Sequence, residues 1–427
     1  MTIVSFPAHH GHPPRRQRTG VIAALDVGSG TIRCLIGERT AGDDRLRIIG
    51  HAEQAAGGIS RGVIGDPQAA EAAIRLAVDA AEHMAGVSLR EVMLNVSGGR
   101  PAAAALTARL DIGGGPVSVG HLRAARARAL AGWNAPGREI VQVMDAHHAL
   151  DGVVAAAPEG LHAQVLETTV HVVHVARGAL RNLDMVARRA LLEPAGRALA
   201  VEAAATAALE PDEQELGAIV IDLGAEVTSW GVWLHGRLHG AGAVAVAGRH
   251  ISRDVAQAFS LPLAVAERLK VLHGSVLPGD ELGMETLSAP LLGEGGQGEQ
   301  QVPVAMLNAV IRPRAEEILE LVRDGLQECP AAQAVRRVVL TGGGAQLVGL
   351  RELAERVLQR MARSGPPRQV HGLPCQLATP AYATACGLLF MAAAPEATSA
   401  PADPAADERA SGGGYLSRMW RWLGEGF

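Results

Sequence analysis

The chain has 427 residues, 48% of them hydrophobic and 19% charged, with a formal net charge of −5 at pH 7. That length allows two or more domains around a sizeable core, and the mildly acidic balance offers no basic field for nucleic acid. Cys34, Cys329, Cys375 and Cys386 form no CxxC pair, so neither a zinc site nor a disulfide framework is indicated, and a reducing cytosol is the natural setting.

The first residues, MTIVSFPAHHGHPPRRQRTG, are polar and basic and lack the apolar segment of a secretory signal. Residues 1–19 are expected to form a disordered arm. No run reaches the ~18 uncharged apolar residues of a spanning helix. Order should begin at GVIAALDVGSGTIRCLIGE. The apolar run from Val21 to Leu25, then Asp26 and a Gly-rich turn, then Ile32 to Ile36, predicts a buried hairpin with polar groups at its tip. DPQAAEAAIRLAVDAAEHMAG follows, a helix with Asp66 as N-cap, Pro67 at the first helical position and Gly86 as stop.

Next come alternating strands at Val92–Val96 and Thr168–Val175, with an Arg-rich helix, VSVGHLRAARARALAGW, between them. The mixture predicts a small inserted α+β unit. His147 and His148 fall in it, and an exposed loop or strand end suits them. The hairpin pattern then recurs at LGAIVIDLGAEVTSWGVWLHGRL: a strand over Ala218–Ile221, Asp222, Gly224, and a second strand from Trp230 to Leu234. One pattern met twice so far apart marks a duplicated domain and not a short-period solenoid. A third glycine turn, TGGGAQL, follows an apolar strand and is expected to open directly onto a helix.

Asp and Gly at strand ends suit one ligand class. A nucleotide triphosphate needs backbone N–H groups brought close, which small residues permit. It also needs carboxylates to hold Mg²⁺ through water. Asp26 and Asp222 would clamp phosphates from two sides, and TGGGAQL would bring a helix N-terminus to the base and ribose.

The order LDVGSGT, VIDLGAEVTSW, VLTGGGAQL resembles the actin/Hsp70/sugar-kinase ATPase superfamily. LNVSGGR, AERLKVLHG and IRPRAEEILELV narrow the resemblance to the FtsA family of bacterial cell-division proteins, over about Val21 to Met391. It implies an α/β, two-lobed actin-like ATPase fold with duplicated domains and an inserted α+β subdomain of the 1C type. Its implied divisions are subdomain 1A at 20–87 and 177–215, 1C at 88–176, 2A at 216–247 and 331–391, and 2B at 248–330. It implies ATP and Mg²⁺ as ligands. By position, Asp26, Gly28, Ser29, Gly30 and Thr31 would form the first phosphate hairpin. Asp222, Gly224, Ala225 and Glu226 would form the second, with Asp26 and Asp222 reaching Mg²⁺ through water. Glu267 and Lys270 would reach the ribose and base, and Gly342, Gly343, Gly344 and Gln346 would form the adenosine turn.

Two departures from the family pattern stand out. Gly30 and Thr31 replace a Ser or Thr followed by Lys, which removes a phosphate partner. Glu226 and Val227 replace Gly and Thr, which places a carboxylate near the γ-phosphate. Weakened ATP binding or slow hydrolysis is therefore expected, and no catalytic base can be assigned.

After Met391 the composition turns to Ala, Pro and acidic residues, so 392–412 is expected to be a disordered linker. The end, 413–427, reads GGYLSRMWRWLGEGF. On a helix, Leu416, Met419, Trp420, Leu423 and Phe427 fall on one stripe, with Arg418 and Arg421 on the other side. Tryptophans favour the membrane–water boundary and arginines suit anionic headgroups. So short a helix binds weakly alone, and linked copies would raise its avidity.

The resemblance implies a polymer-forming adaptor, not an enzyme beyond at most a slow ATPase. It would tether the FtsZ ring to the cytoplasmic face of the inner membrane at the division septum, as a peripheral protein. It would take FtsZ's C-terminal peptide on 2B, its own copies in a filament, and other division proteins through 1C. Arg312 and Arg314 either meet acidic groups of that peptide or form salt bridges within the fold. A pilus-assembly scaffold and a sugar-type kinase share the same core and are the alternatives. The tail disfavours both.

Overall fold

The computed structural model describes residues 20–39, 46–277, 285–293, 298–368 and 370–394. The N-terminal arm, nearly all of the linker and the C-terminal amphipathic segment lie outside them.

Two five-stranded sheets share one plan. In the first, β1 (Val21–Val27), β2 (Thr31–Arg39) and β3 (Leu46–Ala55) form an antiparallel meander. A two-residue hairpin, β4 (Ile59–Ser60) and β5 (Val63–Ile64), leads to helix α1 (Pro67–Ala85). Strand β6 (Glu91–Val96) then returns parallel to β1. The expected caps of α1 are in place: the Asp66 side chain accepts from the N–H groups of Gln68 and Ala69, and Gly86 ends the helix at φ 67°.

The inserted unit follows as β7 (Ala102–Asp111), α2 (Val119–Ala131), β8 (Arg138–Leu150), β9 (Val153–Ala155) and β10 (Val165–Ala176). It is a four-stranded sheet in the order β7-β10-β8-β9. Helix α2 buries Ala125 and Ala129 on it and leaves Arg123, Arg126 and Arg128 exposed. The expected boundary at residue 88 moves here. β6 belongs to the first sheet, since its apolar run is buried on both faces beside β1 as a parallel strand must be. The inserted sheet starts only at Ala102.

Helix α3 (Arg177–Arg189), β11 (Glu193–Leu199) and α4 (Ala200–Ala208) complete the first lobe, and α5 (Pro211–Leu216), which packs on β13, leads into the second. In the second lobe β12 (Ala218–Leu223), β13 (Thr228–Leu234) and β14 (Arg237–Val244) repeat the meander. Helices α6 (Gly248–Ala258) and α7 (Leu263–His273), the hairpin β15 (Thr286–Pro290) and β16 (Glu299–Pro303), and the long helix α8 (Val304–Gln327) follow. Then come β17 (Arg337–Thr341), α9 (Leu350–Leu358), β18 (Met361–Ser364) and α10 (Ala383–Ala393).

The sheet orders are β3-β2-β1-β6-β11 and β14-β13-β12-β17-β18, each with a meander on one side and two parallel strands on the other. The duplication expected from the repeated hairpins is thus complete at the level of topology.

The lobes are joined by exchanged helices. α4 follows the last strand of the first sheet yet also packs on β12 and β13, and α10 follows the last strand of the second yet packs on β1, β2 and β6. Their sequences, AVEAAATAA and ATACGLLFMAA, are rich in small residues, so the two backbones approach closely. A Cβ on Gly387 would collide with the Ala203 carbonyl.

Candidate functional site

The first hairpin tip starts at Asp26, 6% exposed at the end of β1. The Asn95 side-chain amide of β6 donates to its Oδ1 at 2.7 Å, and the Asn95 side-chain oxygen Oδ1 accepts from the Val27 N–H at 2.6 Å. Arg33, the cross-strand partner of Asp26, stands 3.7 Å away and also pairs with Glu53 at 2.8 Å. Burial pushes the Asp26 carboxyl up to about 6, against the pull of Arg33. The turn closes through Gly28 N–H to Thr31 O at 3.1 Å, and a Cβ on Gly28 would meet that oxygen at 2.8 Å. Only glycine fits there.

The second tip copies the first. Gly224 N–H donates to Val227 O at 3.0 Å, and a Cβ on Gly224 would meet that oxygen at 2.8 Å. Asp222 accepts from the Thr384 hydroxyl of α10 at 3.3 Å. Burial, and then the charge of Asp26, push Asp222 up to about 7. Two carboxylates with raised proton affinity therefore stand at the bases of two matched turns, near enough for the charge of Asp26 to act on Asp222. The tips also meet: a Cβ on Gly30 would lie 2.7 Å from Cβ of Ala225.

The β4–β5 hairpin lies across both tips. Its turn residues Arg61 and Gly62 have φ of 51° and 71°, the left-handed pair of a two-residue hairpin. The Gly62 N–H donates to Ser29 Oγ at 2.9 Å, and the Arg61 N–H donates to Glu226 Oε2 at 2.7 Å. Gly98 of the SGGR stretch lets this turn sit close: a Cβ on Gly62 would meet the Gly98 N at 2.6 Å.

Glu226 is 3% exposed. Besides Arg61 it accepts from the Ser60 hydroxyl at 3.0 Å, from Arg249 at 3.1 Å and from Arg253 at 3.3 Å. Burial opposes its charge, but the Arg61 N–H, the Ser60 hydroxyl and Arg249 outweigh it and hold the carboxyl below its usual range.

The third glycine turn packs on the base of the second tip. Gly342 has φ 81°, and a Cβ there would collide with the Asp222 carboxylate. Gly343 and Gln346 are exposed and Gly344 is half-buried. The turn does not open directly onto a helix as expected. A short 3-10 turn, Gly343–Gln346, and a left-handed Gly349 precede α9, because Gly342 must turn away from Asp222 first. Glu267 and Lys270 pair with each other at 2.9 Å, and the Lys270 ammonium donates to Gly248 O at 3.0 Å. Gly248 N–H in turn donates to Gly224 O at 3.2 Å, so this pair adjoins the second tip.

The described candidates thus gather around the two tips, while Arg418, Arg421, Leu416, Met419, Trp420, Leu423 and Phe427 lie outside the described residues. Sequence reasoning missed Asn95, Arg33 and Ser60. For Arg33 a signal existed, since strand pairing sets it opposite Asp26. Arg314 pairs inside the fold, with Asp254 at 2.6 Å and with Glu317. His147 and His148 lie within β8 and are half-buried, not at an exposed end. His147 packs edge-on to His171, with ring centres 5.3 Å apart.

A family model described as "Cell division protein FtsA" matches residues 219–387. The chain is 37% identical to the cell division protein FtsA of Agrobacterium fabrum, over 97% of each chain. It is 30% identical to that of Neisseria meningitidis over 96% of this chain and 100% of the relative, and 28% identical to that of Escherichia coli over 95% and 98%. Among solved structures it resembles the PilM–PilN type IV pilus biogenesis complex, with TM-score 0.60 and 18% identity over 89% of this chain and 99% of that one. It also resembles MreB5 of Spiroplasma citri bound to ADP, with TM-score 0.52 and 13% identity over 88% and 95%. These structural likenesses establish the actin-like fold.

Proposed function

The chain belongs to the FtsA family of cell-division proteins, and on that premise we propose that it is an ATP-binding adaptor that polymerises on the inner membrane and tethers the FtsZ ring. The observation that carries the nucleotide part is the pair of matched Asp–Gly turns, with tips that meet and a buried carboxylate at the base of each. Such a donor set fits a hydrated divalent cation, which would restore both carboxylates to the charged form. Asp26 and Asp222 would hold Mg²⁺ through water, and the ion would neutralise phosphate charge. The N–H groups around Gly30 and Ala225 would face the phosphates. Gly342, Gly343, Gly344 and Gln346, with Glu267 and Lys270, would flank the nucleoside.

Membrane attachment rests on the one-sided stripe of Leu416, Met419, Trp420, Leu423 and Phe427 with Arg418 and Arg421. A single such segment binds weakly, so a filament of many copies is what makes the tether effective. FtsZ's C-terminal peptide would dock on 248–330, further division proteins on the inserted unit, and any ATP hydrolysis would be slow.

Co-flotation tests this reading: purified protein, FtsZ and vesicles containing anionic lipid are spun through a density gradient. FtsZ should float only with this protein and Mg·ATP, and deletion of residues 413–427 should leave both proteins at the bottom. Flotation that survives the deletion would sink the anchor. FtsZ left behind by a floating adaptor would sink the tether.

A further inference from the structure

Glu226 is a negative charge built into the place where the two hairpin tips meet. It stands one residue from the Gly30–Ala225 contact, where the nucleotide site proposed above would bring a terminal phosphate. Its four donors, two guanidinium groups, a hydroxyl and a backbone N–H, are those a phosphate oxygen would use. Two of them, Ser60 and Arg61, belong to the first lobe. Arg249 and Arg253 lie on α6 of the second lobe.

We propose that Glu226 is an internal anion that latches the two lobes and takes the donors a γ-phosphate would otherwise claim, so that the site prefers a nucleoside diphosphate to a triphosphate. The latch has two halves. Oε2 reaches the turn of the β4–β5 hairpin in the first lobe, while Oε1 stays anchored on α6. A triphosphate entering between the tips meets a like charge already holding the local donors, and must displace it to bind. A diphosphate ends short of that charge.

The preference rests on the nucleotide site proposed above, but the latch itself does not, and the experiment separates the two. Binding of Mg·ADP and Mg·ATP to the full-length protein is measured by calorimetry for the wild type, Glu226→Ala and Ser60→Ala. In parallel, hydrogen exchange of the peptide spanning residues 56–64 is followed without nucleotide. The wild type should bind Mg·ADP more tightly. Glu226→Ala should shift the ratio toward Mg·ATP by about tenfold or more, as lifting one close like-charge contact predicts, and should speed exchange at Arg61. Ser60→Ala, which removes one donor and leaves the charge in place, should speed exchange without reversing the nucleotide preference. It also keeps the test open if Glu226→Ala fails to fold. An unchanged ratio and unchanged exchange in the variants would overturn the latch. If neither nucleotide binds the wild type, the nucleotide reading fails and exchange alone decides the latch.

Discussion

Glu202 offers a sharp test of the coupling between the inserted unit and the first lobe. It lies in the first turn of α4, and its Oε1 accepts from the Gln142 amide of β8. Glu202 Oε2 and Gln142 Oε1 are both buried with no hydrogen-bond partner. A proton on Oε2 can satisfy both at once by donating to Gln142 Oε1, which gives a cyclic acid–amide pair. Burial pushes the Glu202 carboxyl from 4.5 up to about 7 against the Gln142 and Leu199 hydrogen bonds. The folded state therefore holds a proton that the unfolded state releases above its ordinary value. Stability from this group is full below about pH 4.5, falls as pH rises to about 7, and is flat beyond, with a total loss of at most about 3 kcal/mol. Glu202→Gln keeps the acceptor, supplies an amide donor for Gln142 Oε1 and cannot ionise. Urea denaturation at pH 5, 6, 7 and 8 should show the variant gaining on the wild type as pH rises, by about 1–3 kcal/mol at pH 8. A constant difference across the series would refute a buried proton at this contact.

Three further substitutions probe local steps. Asp66→Ala removes the acceptor for two N–H groups at the start of α1 and should cost about 1 kcal/mol in chemical denaturation. Gly62→Ala forces a side chain onto φ 71° and against the Gly98 backbone. It should cost about 2–4 kcal/mol and loosen the contact with Ser29, seen as faster hydrogen exchange there. Asp222→Asn removes one of two electrostatically coupled buried carboxylates. The nucleotide-free protein should gain about 1–3 kcal/mol, while Mg²⁺-dependent nucleotide binding by calorimetry should be lost. Unchanged binding would remove Asp222 from the proposed ion site.

The features that read directly from the sequence depend on short-range chemistry. Apolar runs ending in Asp and Gly gave both hairpins, because a buried strand and a tight turn impose residue types within a few positions. The caps of α1 were equally local. Other features depended on partners distant in the chain. β6 looks like any alternating strand until its place beside β1 assigns it to the first sheet. The exchange of α4 and α10 between lobes shows in the sequence only as alanine and glycine content, which fits many helices. Only the packed backbones reveal why small residues are needed.

By itself, then, the sequence determined the doubled Asp–Gly grammar, the actin-like fold and the one-sided stripe at its end. Tertiary structure decided what surrounds Glu226. Beside a glycine turn it reads as a charge that spoils a phosphate site. The fold also brings it to Ser60 and Arg61, 166 and 165 positions away in the chain, and sets two arginines of α6 beside it. A carboxylate's role is fixed by the donors around it, and those were assembled only when the two lobes met.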